Sequence, residues 1–513
     1  MGDDRSCSPQ YERGNRAPMS TAKRGDDLMH NLGFNPLAKE IQRRTFLSQL
    51  GVGMGATALS LMLGRESRTA APVHVAPGYR GLGDLPQIPA TAKRVIFLCM
   101  AGGPSHLETF DHKPKLAELH NQPMPDSYTK GQPVAQLQGH ELRAFAPLFK
   151  FGKYGQSGQT ISELLPWQQK LADDICIVRS MVTEQINHDP AHTFVNCGTA
   201  ISGRPSMGAW VNYGLGSECD DLPGFVVLTS IGGREPDQPI ASRQWSAGFL
   251  PSRFQGVEFS ATGEPVHYVR NPAGVPDQLQ RASVQTIQEL DRHHNESIKD
   301  SEIDTRIAGY ETAFRMQSSV PKLIDTSDEP ANVLQLYGCT PGDGSFASNC
   351  LLARRLAERG VRFIHLYHRG WDHHTFLERD IQRCAQHTDR AAFALITDLK
   401  QRGMLDDTLV IWGGEFGRTP MVQFGGGAPG RDHHIKGFTM WLAGGGVKRG
   451  MSYGATDELG YHAVDNVVHI RDLHATMLHA LGIDHRRLTF PYQGLNMKLT
   501  GVEEARVVKD IIA

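Results

Sequence analysis

The stretch from 361 to 434 constrains the fold most, because it alternates strand, polar loop, helix, strand and polar loop. Residues Val361 to Tyr367 form a short apolar run rich in β-formers, which predicts a strand. Apolar positions at helical spacing predict a helix through 391–399, and Thr408 to Trp412 predicts the next strand. This alternation predicts an α/β fold with a mostly parallel central sheet flanked by helices.

Acidic and imidazole side chains follow these strands where each strand ends. Asp372 and His374 follow the first strand, Glu415 follows the second, and Asp432 and His433 lie in the next glycine-rich loop. Open α/β sheets bind ligands at the carboxyl ends of their parallel strands, so we expect these side chains to lie close together. Their oxygen and nitrogen donors predict a site for one divalent metal, or for two.

Composition limits the remaining possibilities. A chain of 513 residues is long enough for one large domain with insertions or for two domains. Its formal net charge of -2 favours neither nucleic acid nor an anionic membrane surface as partner. The 54 glycines and 23 histidines supply many turns and many potential ligands. The 8 cysteines include no C-x-x-C pair, which argues against a zinc knuckle and leaves disulfides undecided.

The amino-terminal region has the pattern of an export signal. Residues Gln42 to Ser48 carry a twin-arginine motif, and the apolar run after it, Leu50 to Leu63, has about 14 residues against the roughly 20 that span a bilayer. We therefore expect recognition by the twin-arginine export machinery, a periplasmic or extracellular location, and no membrane span in the mature chain. The alternative is a buried amphipathic helix with a chance Arg-Arg. The predicted organisation is a disordered extension over 1–40, a signal peptide over 41–71 and one domain over 90–513.

Two further groups of polar residues are candidates for the site. The first convincing strand, Arg94 to Met100, runs into a glycine-containing loop that presents His106 and Asp111. Asp111 has an equally good explanation in turn formation. His188 and His192 would share one helix face if a helix begins that early, and could then converge on one anion or metal. A structural role is the alternative for both histidines.

The composition from about 232 to 345 predicts an insertion into this domain. Its first part, up to 274, is rich in Gly, Pro, Ser and Arg, which suggests loops that cover the site. Residues 276–318 are polar and compatible with a helical cap. Helices are also predicted over 161–172, 346–359 and 472–482, and strands over 175–178, 225–228 and 438–442.

The order of these motifs resembles the alkaline phosphatase and sulfatase superfamily. A closer resemblance rests on Gly-Gly-Pro-Ser-His, Gly-Trp-Asp-x-His, Glu-Phe-Gly-Arg-Thr-Pro and Gly-Arg-Asp-His, preceded by the twin-arginine motif. These motifs look like the exported sulfatase-like family called domain of unknown function 1501, over roughly residues 40 to 510. The resemblance to this family implies no particular activity by itself.

The resemblance assigns roles only residue by residue. It implies that Asp372 and His374 supply one metal. Glu415 stands where the superfamily has an aspartate, and Phe416, which cannot ligate a metal, stands where it has a histidine. The residues that would replace this pair are Asp432 and His433.

Two other positions depart from the superfamily pattern. Glycines follow the first strand where the superfamily has a metal-binding aspartate, so His106 or Asp111 would have to serve. The frame that holds the sulfatase motif Cys-x-Pro-x-Arg reads His188-Asp-Pro-Ala-His192 here. No cysteine, serine or threonine occupies the nucleophile position, so the resemblance does not imply a formylglycine mechanism.

Two hypotheses about function follow. The first is an exported metal-dependent hydrolase of sulfate or phosphate esters, acting on a small molecule or a polysaccharide with Zn, Ca, Mn or Mg. In it, Arg418 or Arg431 would clamp the anionic oxygens, and His188, with His192 beside it, would act as base or nucleophile. The second is a non-catalytic binding protein of the cell envelope on a degenerate sulfatase-like fold. The candidate metal ligands are His106, Asp111, Asp372, His374, Glu415, Asp432 and His433.

Overall fold

A nine-stranded sheet forms the centre of the protein. The computed structural model describes residues 79–132, 134–233, 239–260, 262, 265–266, 271, 274–298 and 301–513. All of them belong to one structural unit. The predicted extension over 1–40 and the predicted signal over 41–71 lie outside the described residues.

Strands occur along most of the described chain. In chain order they are β1 (Arg94–Met100), β2 (Phe151–Tyr154), β3 (Gln159–Ser162), β4 (Ile175–Val182), β5 (Phe225–Thr229), β6 (Val257–Phe259), β7 (Phe363–His368), β8 (Thr408–Gly413), β9 (Gly417–Arg418), β10 (His433–His434), β11 (Phe438–Ala443), β12 (Met451–Tyr453), β13 (Ala455–Thr456), β14 (Ala463–Asp465), β15 (Val468–His469), β16 (Phe490–Tyr492) and β17 (Leu495–Met497).

The main sheet is mixed but mostly parallel. Its order is β12-β4-β11-β8-β1-β7-β5-β6, and β15 also pairs with β4. The neighbours from β8 to β6 pair in parallel, whereas β11 is antiparallel to both β8 and β4. The carboxyl ends of β1, β4, β7 and β8 therefore lie at the same edge as the amino end of β11. The predicted α/β class, with a mostly parallel sheet, is confirmed.

Helices flank the sheet. In chain order they are α1 (His106–Thr109), α2 (Pro114–Glu118), α3 (Asp126–Thr129), α4 (His188–Cys197), α5 (Met207–Leu215), α6 (Asp277–Ile298), α7 (Ser301–Ile324), α8 (Ala331–Tyr337), α9 (Phe346–Glu358), α10 (Leu377–Gln401) and α11 (Ile470–Ala480).

Both faces of the sheet are covered by apolar cores. Alternate residues of β1 point to opposite faces: Ile96 and Leu98 pack with α9 and α10, and Val95 and Phe97 pack with α5 and α11. A strand buried on both faces has no polar side, which explains why β1, β5 and β8 are nearly continuous apolar runs. Full burial of each such side chain contributes about 1.5–3 kcal/mol.

The helix α10 links the two strands that carry most of the site. Its first turn is acidic and its last turn contains Lys400, an arrangement that complements the helix dipole. Its buried face, which includes Ile381 and Leu395, packs into the core beneath the sheet. The strand β7 precedes this helix and the strand β8 follows it, so the two strands run in parallel on either side of β1.

Two regions differ from the sequence predictions. The helix predicted over 161–172 is replaced by the end of β3 and by a single 3-10 turn, Gln168–Leu171. Pro166 interrupts this segment, because proline lacks an N–H and disfavours helical backbone in the residue before it. Within the loops predicted up to 274, the strand β6 extends the sheet and buries Phe259. The predicted helical character of 276–318 is confirmed in α6 and α7.

Within the described ranges there is neither a candidate membrane span nor a disulfide. No helix there combines the length and apolar character that a membrane span requires. The cysteines of the same ranges form no disulfides.

His365 is a buried imidazole in the middle of β7. Its ring stacks between Phe97 and Tyr367, with centroid distances of 4.8 Å and 4.1 Å. Neither ring nitrogen has a hydrogen-bond partner among the described residues, and burial lowers the pKa of His365 to about 3. The unfolded chain takes up this proton near pH 6.5, whereas the folded chain resists it. His365 therefore favours the folded state least at low pH, and stability falls as the pH drops from about 6.5 toward 3.

We expect His365→Phe to stabilise the protein, because it removes two buried nitrogens that lack partners and keeps the ring stack. The free energy of unfolding should rise by about 1 kcal/mol at pH 7, and by more at pH 5. Denaturant unfolding at the two pH values measures both effects. His474→Phe is the matched control. The buried His474 has a hydrogen bond of 2.8 Å between Nε2 and the Val195 carbonyl, so we expect this variant to be less stable than the wild type at pH 7. Equal destabilisation in both variants would contradict the expectation.

Candidate metal centre

Loops at one edge of the sheet bring the predicted ligands together. Asp372 and His374 follow β7, and His188 opens α4 beyond the end of β4. The strands β9 and β10 form a two-stranded antiparallel ladder, in which His433 pairs with Arg418. Since β9 follows β8 directly and β10 leads into β11, this ladder holds His433 beside the carboxyl ends of the central strands.

Three imidazoles surround one carboxylate oxygen in this region. Oδ1 of Asp372 lies 2.9 Å from Nε2 of His374, and 3.3 Å from Nε2 of both His188 and His433. The two nitrogens Nε2 of His374 and His433 are 2.8 Å apart. The four donor atoms lie within 4.8 Å of one another, which is compact enough for one metal ion.

The Nδ1 atoms of His433 and His374 face away from Asp372, and their hydrogen bonds indicate the protonation of these two nitrogens. Nδ1 of His433 is 2.7 Å from the carbonyl oxygen of Ile186, which can only accept, so this nitrogen carries the proton. Nδ1 of His374 donates in the same way to Oε1 of Gln423 at 2.7 Å. Burial, the largest influence, lowers the pKa of His433 to about 4, so its ring is neutral at pH 7.

Nε2 of His374 and Nε2 of His433 therefore face each other and the carboxylate of Asp372. A cation between these three atoms would be attracted by the carboxylate and by both ring nitrogens. Histidine ligands of metals are typically held by a hydrogen bond from the other ring nitrogen, as His433 and His374 are here. The residues present thus fit a divalent metal ion.

A second carboxylate orients His188. Glu415 is fully buried, and its Oε1 accepts from Nδ1 of His188 at 2.7 Å. Both carboxylate oxygens of Glu415 also accept from the backbone N–H of Gly102, at 3.0 and 3.2 Å. His192 places Nε2 3.4 Å from Oε1 of Glu415, one helical turn beyond His188. Glu415, His188 and His192 form a second group of potential ligands.

The charges of this centre are set by burial and by neighbouring ions. Burial acts to raise the pKa of Asp372, but Arg418 and the three imidazoles outweigh it and hold that pKa well below its usual range. Burial likewise opposes ionisation of Glu415, yet His192 and His188 lower its pKa to about 2. The pKa of His188 is raised despite burial, because it lies between the two carboxylates. A quarter of the Asp372 side chain remains exposed, so a ligand can reach the centre from solvent.

Glycines allow the loops of the centre to approach closely. The backbone of Gly102 has a φ of +119°, and a Cβ there would lie 2.5 Å from the nitrogen of Asp372. A Cβ on Gly103 would lie 2.6 Å from the ring of Phe416. This ring packs against His188 and His433, with centroid distances of 5.0 and 4.5 Å. The glycines bring protein segments together here, and Phe416 supports the imidazoles without being a ligand.

Asp432 lies beside the cluster without joining it. Its carboxylate is fully buried and accepts three backbone N–H groups, those of Gln136 at 2.6 Å, Leu137 at 3.0 Å and His433 at 2.8 Å. Its Oδ1 is 3.8 Å from Nδ1 of His374, the nitrogen that faces away from Asp372. Asp432 therefore fixes the surrounding loops, a placement that differs from the ligand role predicted for it.

Both arginines predicted to clamp an anion are occupied by the protein itself. Arg431 is fully buried, pairs with Glu108 at 2.8 Å and donates to three backbone carbonyls. Arg418 is fully buried too, bonding to Asp372 at 2.7 Å and to the carbonyls of Gly102 and Gly103. Neither guanidinium is free for a substrate, because each one ties loops of the centre together.

His106 and Asp111 are also placed differently from the prediction. Nε2 of His106 is 2.9 Å from the carbonyl oxygen of Gly460, and the side chain is buried. Asp111 forms an ion pair of 3.0 Å with Lys113 and accepts from the hydroxyl of Thr456. Among the described residues, neither belongs to a group that could hold a metal. The short helix α1 begins at His106 and directs both side chains toward the 456–460 loop.

Three contacts of the centre were absent from the sequence interpretation. They are the side chains of Gln136 and Gln423 and the backbone carbonyl of Ile186. A glutamine in a polar loop carries no periodicity or spacing that singles it out, and a carbonyl has no sequence signature. The one available signal was the position of Gln423 at the start of the glycine-rich loop before Arg431.

Fold and site together define an α/β protein with a cluster of His and Asp ligands at the carboxyl edge of a mostly parallel sheet. The chain belongs to the family described as "Protein of unknown function (DUF1501)", which matches residues 92–512. The resemblance seen in the sequence motifs is confirmed at this level. No curated protein matches the chain.

Solved structures of sulfatases and phosphatases are among those similar to the chain. A sulfatase from Pseudoalteromonas sp. is 11% identical, with 80% of this chain and 72% of that chain covered and a TM-score of 0.33. The lipoteichoic acid synthase of Listeria monocytogenes is 10% identical, with 78% and 77% covered and a TM-score of 0.32. The alkaline phosphatase of the Antarctic bacterium TAB5 is 12% identical, with 76% and 98% covered and a TM-score of 0.29. TM-scores this low support no inference about activity, so the evidence for function has to come from the residues of this chain.

Proposed function

We propose that this chain is a metal-dependent hydrolase of sulfate or phosphate esters. The observation that carries the proposal is the convergence of His374, His433 and His188 on Oδ1 of Asp372, with Nε2 of His374 and Nε2 of His433 2.8 Å apart. The twin-arginine motif adds the proposal that the protein works outside the cytoplasm, which fractionation of cells producing the full chain would test.

The donor set narrows the choice of metal. Three imidazoles and one carboxylate suit zinc or manganese, whereas calcium and magnesium prefer all-oxygen sites. The residues that would hold the ion are His188, Asp372, His374 and His433. A divalent ion bound there would supply a Lewis acid that neutralises the anionic oxygens of an ester and activates a water molecule.

His188 has two available roles in this proposal. Its Nε2 faces Asp372, so it can complete the ligand set while Glu415 orients it through Nδ1. Alternatively, its position between two carboxylates raises its pKa and stabilises its charged form, which suits it to carry a proton. His192, one turn away and within 3.4 Å of Glu415, would assist in either case.

A non-catalytic binding protein is the second candidate. Two observations favour it: the nucleophile frame around His188 holds no serine, threonine or cysteine, and the guanidinium groups of Arg418 and Arg431 are both engaged inside the protein. A protein of this kind would bind an anion or a metal at the same edge of the sheet without turnover.

Metal content and ester turnover of the purified full chain distinguish the two candidates. We expect about one zinc or manganese ion per chain, turnover of an aryl sulfate or aryl phosphate, and loss of turnover after treatment with a chelator. Chelation should also lower the free energy of unfolding, by about 2.7 kcal/mol relative to metal supplied at 100 times its Kd. A folded protein that retains metal but turns over neither class of ester would favour the binding protein. A folded protein that takes up no metal would refute the hydrolase proposal.

A further inference from the structure

The segment around Gln136 is fixed against the metal centre by its backbone. The N–H groups of Gln136 and Leu137 both donate to Oδ2 of Asp432, at 2.6 and 3.0 Å. Asp432 is fully buried and also holds the backbone of His433. The position of Gln136 is therefore set by the same carboxylate that sets the position of a candidate ligand.

A ring of hydrogen bonds directs the side chain of Gln136. Nδ1 of His374 donates to Oε1 of Gln423 at 2.7 Å, and Nε2 of Gln423 donates to Oε1 of Gln136 at 2.9 Å. With its oxygen engaged, the amide of Gln136 turns its NH₂ group toward Nε2 of His374, at 3.3 Å. In this arrangement Oε1 of Gln136 accepts from Gln423 while its NH₂ group faces the centre, and a flip of the Gln136 amide alone would break the bond to Gln423.

We propose that Gln136 is a substrate-binding residue that donates its amide N–H to an anionic oxygen of the ester. This inference rests on the proposed hydrolase function. A cation held at Nε2 of His374 would take that acceptor from Gln136, and the N–H group of Gln136 would then be available to a ligand at the centre. Gln136 is exposed, so a ligand can reach the same group from solvent.

The need for such a donor follows from the placement of the arginines. An anionic ester at the centre requires donors for its oxygens, and each unpaired oxygen would weaken binding. Arg418 and Arg431 are committed to Asp372, Glu108 and backbone carbonyls. Gln136 supplies a neutral donor whose oxygen is already used for orientation, so the N–H is held ready for the ligand.

Anion binding by Gln136→Leu tests the inference. The metal-loaded full-length wild type and the variant are titrated with inorganic phosphate in a calorimeter, after metal content has been measured by elemental analysis. We expect Gln136→Leu to keep the metal content and melting temperature of the wild type and to bind phosphate on the order of tenfold more weakly. Gln138→Leu is the matched control, because Gln138 is exposed on the same segment and, among the described residues, bonds to the carbonyl of Val134 at 3.2 Å. Its phosphate affinity should be unchanged.

The outcomes separate this inference from the function on which it rests. If the wild type binds phosphate and Gln136→Leu binds it equally well, the substrate-binding role is refuted and the hydrolase proposal stands. If Gln136→Leu loses metal in step with phosphate, Gln136 only positions His374 and the inference is again refuted. If the metal-loaded wild type binds neither phosphate nor sulfate, the hydrolase proposal and the inference fall together.

Discussion

Asp372→Asn is expected to abolish metal binding and ester hydrolysis together while the protein remains folded. Asp372 is the one carboxylate that all three ligand imidazoles face, and asparagine replaces its charge with a weak neutral ligand. Changes to residues that merely orient a ligand reduce metal affinity by about 10–100-fold, so loss of a ligand should exceed that range. Elemental analysis and titration with zinc or manganese measure the change.

The asparagine variant is chosen to keep the fold intact. Its side-chain oxygen can still accept from Arg418, whereas alanine would remove this hydrogen-bond acceptor as well as the charge. Asp406→Asn is the control, since Asp406 is exposed and its ion-pair partner in the described part of the chain is Arg449, at the surface. Wild-type metal affinity in Asp372→Asn, with a normal melting temperature, would remove Asp372 from the ligand set.

Arg431→Met is expected to lower the stability of the fold strongly and to leave the affinity for anions unchanged. The ion pair between Arg431 and Glu108 is fully buried on both sides. Removal of one partner leaves an uncompensated charge in the interior, which costs about 3–5 kcal/mol. Denaturant unfolding measures this loss, and phosphate affinity per folded, metal-loaded molecule should stay at the wild-type value.

A double variant tests the physical reason for that loss. Glu108→Leu combined with Arg431→Met removes both charges of this buried pair, so we expect much of the stability to return. Arg449→Met, which removes an exposed arginine, should change the stability little. If Arg431→Met unfolds like the wild type and binds phosphate more weakly, then Arg431 does serve as the anion clamp that the sequence pattern suggests.

The framework of the fold was accessible from sequence because its strands are buried on both faces. The apolar run from 94 to 100 predicts β1 to the residue, and β8 extends only one residue beyond its prediction. The strand β6 has just three residues within a region rich in turn formers, and its pairing with β5 depends on tertiary contacts that no local pattern encodes.

Parts of the candidate site followed from the same reasoning. Asp372, His374 and Glu415 lie near one another because they follow parallel strands, which share an edge of the sheet. The roles of Arg418 and Arg431 could not be predicted from the sequence. Residue type alone does not distinguish a guanidinium that binds substrate from one that binds carbonyls distant in the chain. Gln136 lies more than two hundred positions before its partners, and its placement depends on the packing of three loops.

The central claim is that one metal ion lies between Asp372, His374 and His433, and X-ray diffraction at the absorption edge of the bound metal tests it most directly. The account predicts one anomalous peak about 2.0–2.2 Å from Nε2 of His374, Nε2 of His433 and a carboxylate oxygen of Asp372. Crystals of metal-loaded protein with no peak at this position, or with the ion bound elsewhere, would contradict it.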